Sequence, residues 1–333
     1  MSQSPAGLDL DVFASWFGGG PWSAELIAGG KSNLTYLVSD GTNDYVVRRP
    51  PLGHVLATAH DMGREYRVMS ALQNTSVPVP RMIRECTDPD IFGAPLYVME
   101  RAEGIAIRRA SELDARGPER TKNIINELTD TLVNLHSVDY EQVGLGDFGR
   151  PEGFVARQVK RWKQQLAAST SRPLAGVEDL IGYLDSTSPV SQEATIVHGD
   201  FRLDNALVDD NDHITAVLDW EMSTLGDPLS DVALMVVYQQ MAMGDGNAGL
   251  VSDTGLANGH PTIEDVMERY AQKSGRDLSD MGYYLALSFF KLAVIVEGIH
   301  FRHTQGKTVG EGFAGIGDLV VPLIEAGLVS ARR

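Results

Sequence analysis

The chain has a single cysteine, Cys86, so no disulfide within it can staple the fold. Positive charge is scarce as well: 28 Lys and Arg stand against 45 Asp and Glu, a formal net charge of −17. A surface of that sign repels phosphate backbones and anionic lipid, which argues against nucleic acid and against a membrane as partners. The longest apolar region, Tyr283 to Ile299, is broken by Lys291 and Glu297 and makes a poor membrane span. No basic, apolar, small-residue leader opens the sequence, so a reducing, cytoplasmic location is expected. No Gly-x-Gly-x-x-Gly follows a strand, which removes the simplest oxidoreductase reading. Internal repeats and low-complexity tracts are missing too. What is present is 333 residues, enough for one bilobal domain or two modest ones with a sizeable core.

The first segment with chemical promise is LIAGGKSNLTYLV, Leu26 to Val38. A Walker A loop needs Gly-x-x-x-x-Gly-Lys-Ser/Thr between a strand and a helix, because backbone N–H groups and a helix N-terminus together cradle the phosphates. Counting back from Gly30 puts Glu25 where the first Gly belongs, and Leu34-Thr35-Tyr36-Leu37-Val38 reads as a strand. The Walker loop is excluded on both counts. A Gly-rich turn between strands remains, either an ordinary hairpin or a loop that covers nucleotide phosphates.

Hydrophobic periodicity divides the chain near residue 102. Residues 9–17 have helical spacing and stop at Gly18-Gly19-Gly20-Pro21. Strand-like runs follow at Ala24–Ala28, Leu34–Ser39 and Tyr45–Arg48, then a helix at Met62–Leu72, an extended Val77-Pro78-Val79-Pro80, and strands at Arg81–Glu85 and Pro95–Glu100. Beyond Gly104 the patterns are long and helical, at Arg120–His136, Gly153–Ala168, Gly176–Ser186, Thr262–Lys273 and Asp280–His303. This is an α+β organisation, sheet-rich over 1–102 and mainly helical over 103–333, with a crevice between the parts as a natural ligand site.

One strand-and-loop block, Thr195 to Trp220, interrupts the helices. In it His198-Gly199-Asp200 is followed by Asn205, and two apolar runs flank a turn that delivers Asp219. The order is that of a catalytic Asp, a metal-binding Asn and a metal-binding Asp. An Asp must reach the acceptor hydroxyl while an amide oxygen and a second carboxylate, both hard ligands, hold Mg²⁺ on the phosphates. Asp209-Asp210-Asn211-Asp212 reads as an exposed acidic turn; it lacks the alternation and the Gly of an EF-hand.

On these motifs the chain resembles the aminoglycoside phosphotransferase and choline kinase-like enzymes, relatives of protein kinases. VHGDFRLDN and LDWEMSTLGDPLSDVA are most similar to the kinase domains found joined to acyl-CoA dehydrogenases, and the likeness runs from about Ile27 to Gly306. It implies a bilobal protein-kinase-like fold, with a small antiparallel-sheet N-lobe (1–102) carrying the nucleotide loop and hinge and a larger helical C-lobe (103–333) carrying the catalytic loop and acceptor site. It also implies transfer of phosphate from ATP, with Mg²⁺, to a hydroxyl of a small-molecule acceptor. Asp200 would be catalytic, and Asn205 and Asp219 would hold the metal. Gly30, Lys31, Ser32 and Asn33 would cover the phosphates. Arg48, or its neighbour Arg49, would contact them and pair with Glu65. Met99 would sit behind the adenine, whose edge the backbone of Glu100 and Ala102 would bond.

Plainer roles suffice elsewhere. His136 reads as a hydrogen-bonded core histidine, His198 as an orienter of the catalytic loop, and Asp227 and Asp231 as N-cap and first-turn carboxylates of a helix near Pro228. Trp220-Glu221 stands where protein kinases have Phe-Gly, so their mobile switch is not carried over. The acceptor wall is sought in Asp280 to His303, where Tyr283, Tyr284, Phe289, Phe290 and Ile295 are mostly core. This stretch offers Asp280 and Glu297 to a polycation but Lys291, Arg302 and His303 to an anion. Together with the resemblance to kinase domains joined to acyl-CoA dehydrogenases, this puts a hydroxylated acyl group, as its CoA thioester, ahead of an aminoglycoside. A silent nucleotide-binding protein is the alternative of another class, and a homodimer is left open.

Overall fold

The computed structural model describes residues 4–28, 33–52, 61–191, 193–243, 251–307, 313 and 315–332. Helix α1 (Leu10–Phe17) starts where the Asp9 carboxylate accepts the N–H groups of Asp11 and Val12, and it stops at Gly18. Strands β1 (Ser23–Ala28), β2 (Leu34–Ser39) and β3 (Asp44–Arg49) follow, then α2 (Met62–Leu72), β4 (Met82–Cys86), a single turn α3 (Pro89–Phe92) and β5 (Leu96–Glu100). The five strands form one antiparallel sheet in the order β1-β2-β3-β5-β4.

Strand periodicity sends alternate side chains to opposite faces. Val47, Leu96 and Val98 pack with Tyr36 and Val38 against Phe13 and Trp22. Val46, Tyr97 and Met99 face α2, whose Met62, Val68, Met69 and Leu72 join a core that continues into the helical part. One hydrophobic core thus spans both sides of the crevice.

The helical part comprises α4 (Ala110–Asp114), α5 (Pro118–His136), α6 (Phe154–Ser169), α7 (Val177–Ser186), α8 (Leu229–Met243), α9 (Ile263–Ser274), α10 (Met281–Thr304) and α11 (Val320–Ser330). Between α7 and α8 lie β6 (Thr195–Val197), β7 (Ala206–Val208), β8 (Ile214–Val217) and β9 (Thr224–Gly226), paired as β6-β9 and β7-β8. Helix α10 is the axle of this part and packs on α6, α8 and α11. Among the described residues it is the one helix long and apolar enough to cross a membrane, and 72 % of that apolar window is buried inside the fold.

The helices marked by periodic patterns start and end within two residues of them; α3, α4, α11 and β9 carry no such mark, and of α8 only the start near Pro228 does. Helix α11 was not anticipated because Pro322 interrupts its apolar run; the proline sits in the first turn, where its missing N–H costs nothing. Strand β9 is too short for alternation to show. The acidic turn is also more than a solvated loop. Asp212, left-handed at φ 70°, is clamped by Arg116 at 3.2 Å and Arg120 at 2.7 Å, which ties the β7-β8 turn to the start of α5.

Helix α9 begins with a reciprocal cap: Thr262 Oγ1 accepts the Asp265 N–H at 3.1 Å, and the Asp265 carboxylate accepts the Thr262 N–H at 3.0 Å. Thr262→Ala should therefore cost about 1 kcal/mol in urea denaturation. An unchanged unfolding midpoint would show that the cap adds nothing to global stability.

Candidate active site

The loop that carries Asp200 leaves β6 at Val197 and turns at Gly199, whose φ of 83° favours glycine and where an added Cβ would meet the Met222 carbonyl at 2.8 Å. Asp231, in the first turn of α8, reaches into this loop. Its carboxylate accepts the backbone N–H groups of His198 at 2.6 Å and Gly199 at 2.8 Å, and lies 3.3 Å from His136 Nε2. Asp231 is the first-turn carboxylate its sequence position suggests, and its side chain in addition turns inward to this loop and is 1 % exposed. Asp227 does cap α8, accepting the Leu229 N–H at 2.9 Å, and also takes the Tyr284 hydroxyl at 2.7 Å.

His136 is buried and bonded as expected, with Nδ1 2.7 Å from the Tyr270 hydroxyl. Burial lowers its pKa, against the pull of Asp231. His198 orients the loop: Nδ1 accepts the Asp200 N–H at 3.2 Å, so Nε2 carries the proton that it donates to the Leu218 carbonyl at 2.9 Å.

Asp200 is held at both oxygens. The Tyr238 hydroxyl donates to Oδ1 at 2.6 Å and the Asn205 amide donates to Oδ2 at 3.1 Å and to the backbone carbonyl at 2.9 Å. Tyr238, from α8, has no sequence motif and went unnoticed. Asn205 spends its amide nitrogen on Asp200 and keeps its oxygen for another partner.

Asp219, left-handed at φ 65°, lies just beyond β8 with its side chain 37 % exposed. Arg48 Nη2 lies 3.2 Å from its Oδ1 while Arg48 Nη1 lies 3.0 Å from Glu65 Oε2. The two carboxylates, one from α2 and one from beyond β8, thus meet on one guanidinium. Burial alone would lower the Arg48 pKa, but the charges of its neighbours, Glu65 and Asp219 among them, hold it above its ordinary value. Burial raises the Glu65 carboxyl, opposed by Arg48, the Tyr97 hydroxyl at 2.8 Å and the Asn33 amide at 2.8 Å. The choice between Arg48 and Arg49 follows from strand parity. Arg49 points to the opposite face, where it donates to the carbonyls of Gly7 and Phe92.

Gly30, Lys31 and Ser32 lie outside the described residues. Asn33 is buried beside Glu65. Met99 is buried on the α2 face of β5. Glu100 donates its N–H to the Arg81 carbonyl at 2.9 Å and pairs its carboxylate with Arg81, so its carbonyl is the group left for a ligand edge. Ala102 follows at the passage between lobes.

These donors suit a nucleotide with a hard divalent cation. Arg48 Nε is buried without a partner among the described residues, a donor that an anionic oxygen would satisfy. Asp219 and the free oxygen of Asn205 are hard ligands, few enough to leave most positions of a Mg²⁺ ion to phosphate and water. No cluster of three His, Cys, Asp or Glu suited to a metal occurs among the described residues.

Beside the loop opens a cavity of about 530 Å³, lined by Arg64, Arg150, Arg157, Arg161 and Lys291 together with Trp162, Glu221, Tyr284 and Ser288. From α10 it takes Tyr284, Leu287, Ser288 and Lys291. Tyr283, Phe289 and Phe290 are core, Glu297 is buried against Arg172, and Arg302 and His303 do not line the cavity. The anion-favouring cations expected from α10 thus reduce to Lys291, and α6 supplies others that sequence reasoning passed over. Burial, with Asp219 and Glu65 adding to it, pushes Glu221 up to about 7.

A small antiparallel sheet over a larger helical lobe, with Asp200, Asn205 and Asp219 on the crevice, is the bilobal fold of the protein-kinase-like phosphotransferases. Residues 23–270 match the phosphotransferase enzyme family, and the chain belongs to it. A putative aminoglycoside phosphotransferase of Ralstonia eutropha JMP134 is 32 % identical, with a TM-score of 0.85 over 97 % of this chain and 98 % of that one. Aminoglycoside phosphotransferase APH(4)-Ia, solved with AMP-PNP and hygromycin B, shares the fold at 14 % identity, with a TM-score of 0.64 over 96 % of this chain and 97 % of that one.

Among curated proteins, acyl-CoA dehydrogenase family member 11 of Rattus norvegicus is 35 % identical over 91 % of this chain and 39 % of its own length. Acyl-CoA dehydrogenase family member 10 of Mus musculus is 36 % identical over 84 % of this chain and 26 % of its own length. The chain therefore spans two fifths or less of these relatives.

Proposed function

We propose that the chain transfers the terminal phosphoryl of ATP, with Mg²⁺, to the hydroxyl of a hydroxylated acyl group carried as its CoA thioester. The observation that carries the phosphotransfer is the junction of Glu65, Arg48 and Asp219, set beside an Asp200 held at both oxygens. Arg48 and the N–H donors near Asn33 would position the phosphates, and Asp219 and Asn205 would hold the cation, which neutralises charge on the transferring group. Asp200 accepts the acceptor's hydroxyl proton as the new O–P bond forms and ADP leaves. The acyl acceptor is supported by the similarity to acyl-CoA dehydrogenase family members and by a cavity richer in cations than in acids. A polycationic aminoglycoside would meet like charge there.

A panel of 3- and 4-hydroxyacyl-CoA thioesters and kanamycin-type compounds, scored by ADP release and acceptor mass, tests the reading. Phosphorylation of the antibiotics alone would reverse the choice. For the cation, Asp219→Ala should erase the gain in ATP affinity that Mg²⁺ gives the wild type in calorimetry. A variant that still gains affinity with Mg²⁺ would remove Asp219 from the metal site.

A further inference from the structure

The five cations at the cavity share a feature that net charge does not predict. Among the described residues none of Arg64, Arg150, Arg157, Arg161 and Lys291 takes part in an ion pair. In a chain of net charge −17 such pairing would be the default. Neutral groups hold three of them instead. Arg64 donates to the carbonyls of Phe148 at 2.8 Å and Ser223 at 3.2 Å, Arg157 to those of Glu152 and Arg150, and Lys291 to that of Gly199 at 3.0 Å. A carbonyl orients a cation without cancelling its charge. Of the two acids at the cavity, Asp231 is consumed by the loop that carries Asp200, and burial raises the Glu221 carboxyl to about 7.

The cations are also graded in depth. Lys291 is half-buried at the floor, against the loop that carries Asp200, whereas Arg157 and Arg161 are exposed at the mouth. The two arginines are four residues apart on α6, so their side chains are neighbours about one turn apart along the helix. Both line the cavity, are exposed and keep their charge, and such guanidinium groups fit a phosphate ester, which arginine binds through charge-assisted N–H donors.

Resting on the acyl-thioester reading above, we propose that Arg157 and Arg161 are the specificity-determining residues of the acceptor site. They hold phosphate at the distal end of the acceptor, the nucleotide end of CoA, while the hydroxylated end reaches the floor beside Asp200. The acceptor is selected for carrying an anion remote from the hydroxyl that reacts.

Calorimetry with CoA itself, on the full chain with its nucleotide site filled by AMP-PNP and Mg²⁺, tests this without requiring turnover. CoA should bind the wild type, and Arg157→Gln/Arg161→Gln should weaken it about 10- to 100-fold, as expected for losing charge-assisted bonds to an anion. Pantetheine, which lacks the phosphates, should not distinguish the two proteins. Arg302→Gln, on α10 outside the cavity, should keep the wild-type affinity for CoA. No binding of CoA to the wild type, or equal affinity in the double variant, would overturn the proposal. Weakened CoA binding with no hydroxyacyl-CoA phosphorylated would sink the reaction proposed above and leave this one standing. Phosphorylation with an unchanged KM in the double variant would do the reverse.

Discussion

Asp200→Asn should lower kcat by about 10²–10⁴ and leave ATP affinity near that of the wild type. The reason lies in how the carboxylate is held. Tyr238 and Asn205 donate to its two oxygens, which fixes the side chain and leaves the remaining lone pairs for an acceptor hydroxyl. An amide is nearly the same size and can be seated in the same place, but its nitrogen cannot take a proton. Transition-state charge would still be met by Arg48 and the cation ligands, so the loss is partial. The effect should fall on kcat, because the groups that would contact the nucleotide, Arg48 and Asp219, are not touched. Single-turnover kinetics with ATP binding measured in parallel checks this. Wild-type turnover in the variant would take Asp200 out of the mechanism.

Some of this site is legible in the chain because it is local. Asp200, Asn205 and Asp219 fall within one loop and hairpin, where spacing alone constrains which side chains can meet. The Arg48–Asp219 contact bridges 171 residues of sequence, and only the family resemblance pointed to Arg48. What decides it over Arg49 is the parity of β3, since one residue's slip moves a side chain to the other face of the sheet. Tyr238 and the α6 arginines could not be read at all. Arg157 and Arg161 look like the solvated face of an amphipathic helix until α10 is laid beside them. Tyr238 lies in a helix so apolar all round that no stripe marks which residue faces the loop. Asp231 is legible as a first-turn carboxylate, and that sufficient local explanation hides its second role, holding the loop at His198 and Gly199.

Asp231→Ala should be the most destabilising substitution near the site, by about 3–5 kcal/mol, since it strips a buried charge from partners that have no alternative. The backbone N–H groups of His198 and Gly199 and the Nε2 of His136 would lose their acceptor inside the core. The catalytic loop would lose its anchor, so the fraction that stays folded should also show a lowered kcat. Asp231→Asn retains one accepting oxygen and should fall between, which separates loss of fold from loss of loop placement.

The same network predicts acid sensitivity. Burial alone would raise the Asp231 carboxyl, but the hydrogen bond and charge of His136 and the His198 contacts bring it below its ordinary value of 3.8. Its stabilising effect is therefore present above pH 3.8 and lost as pH falls through the depressed value. His136 is likewise depressed below 6.5 by burial, so protonating it in the unfolded chain begins to erode stability as pH drops under 6.5. Urea unfolding from pH 8 to pH 5 should show stability declining toward acid in the wild type, with the His136 share of that slope removed in His136→Gln. A variant slope equal to the wild type's would place the acid sensitivity elsewhere in the fold.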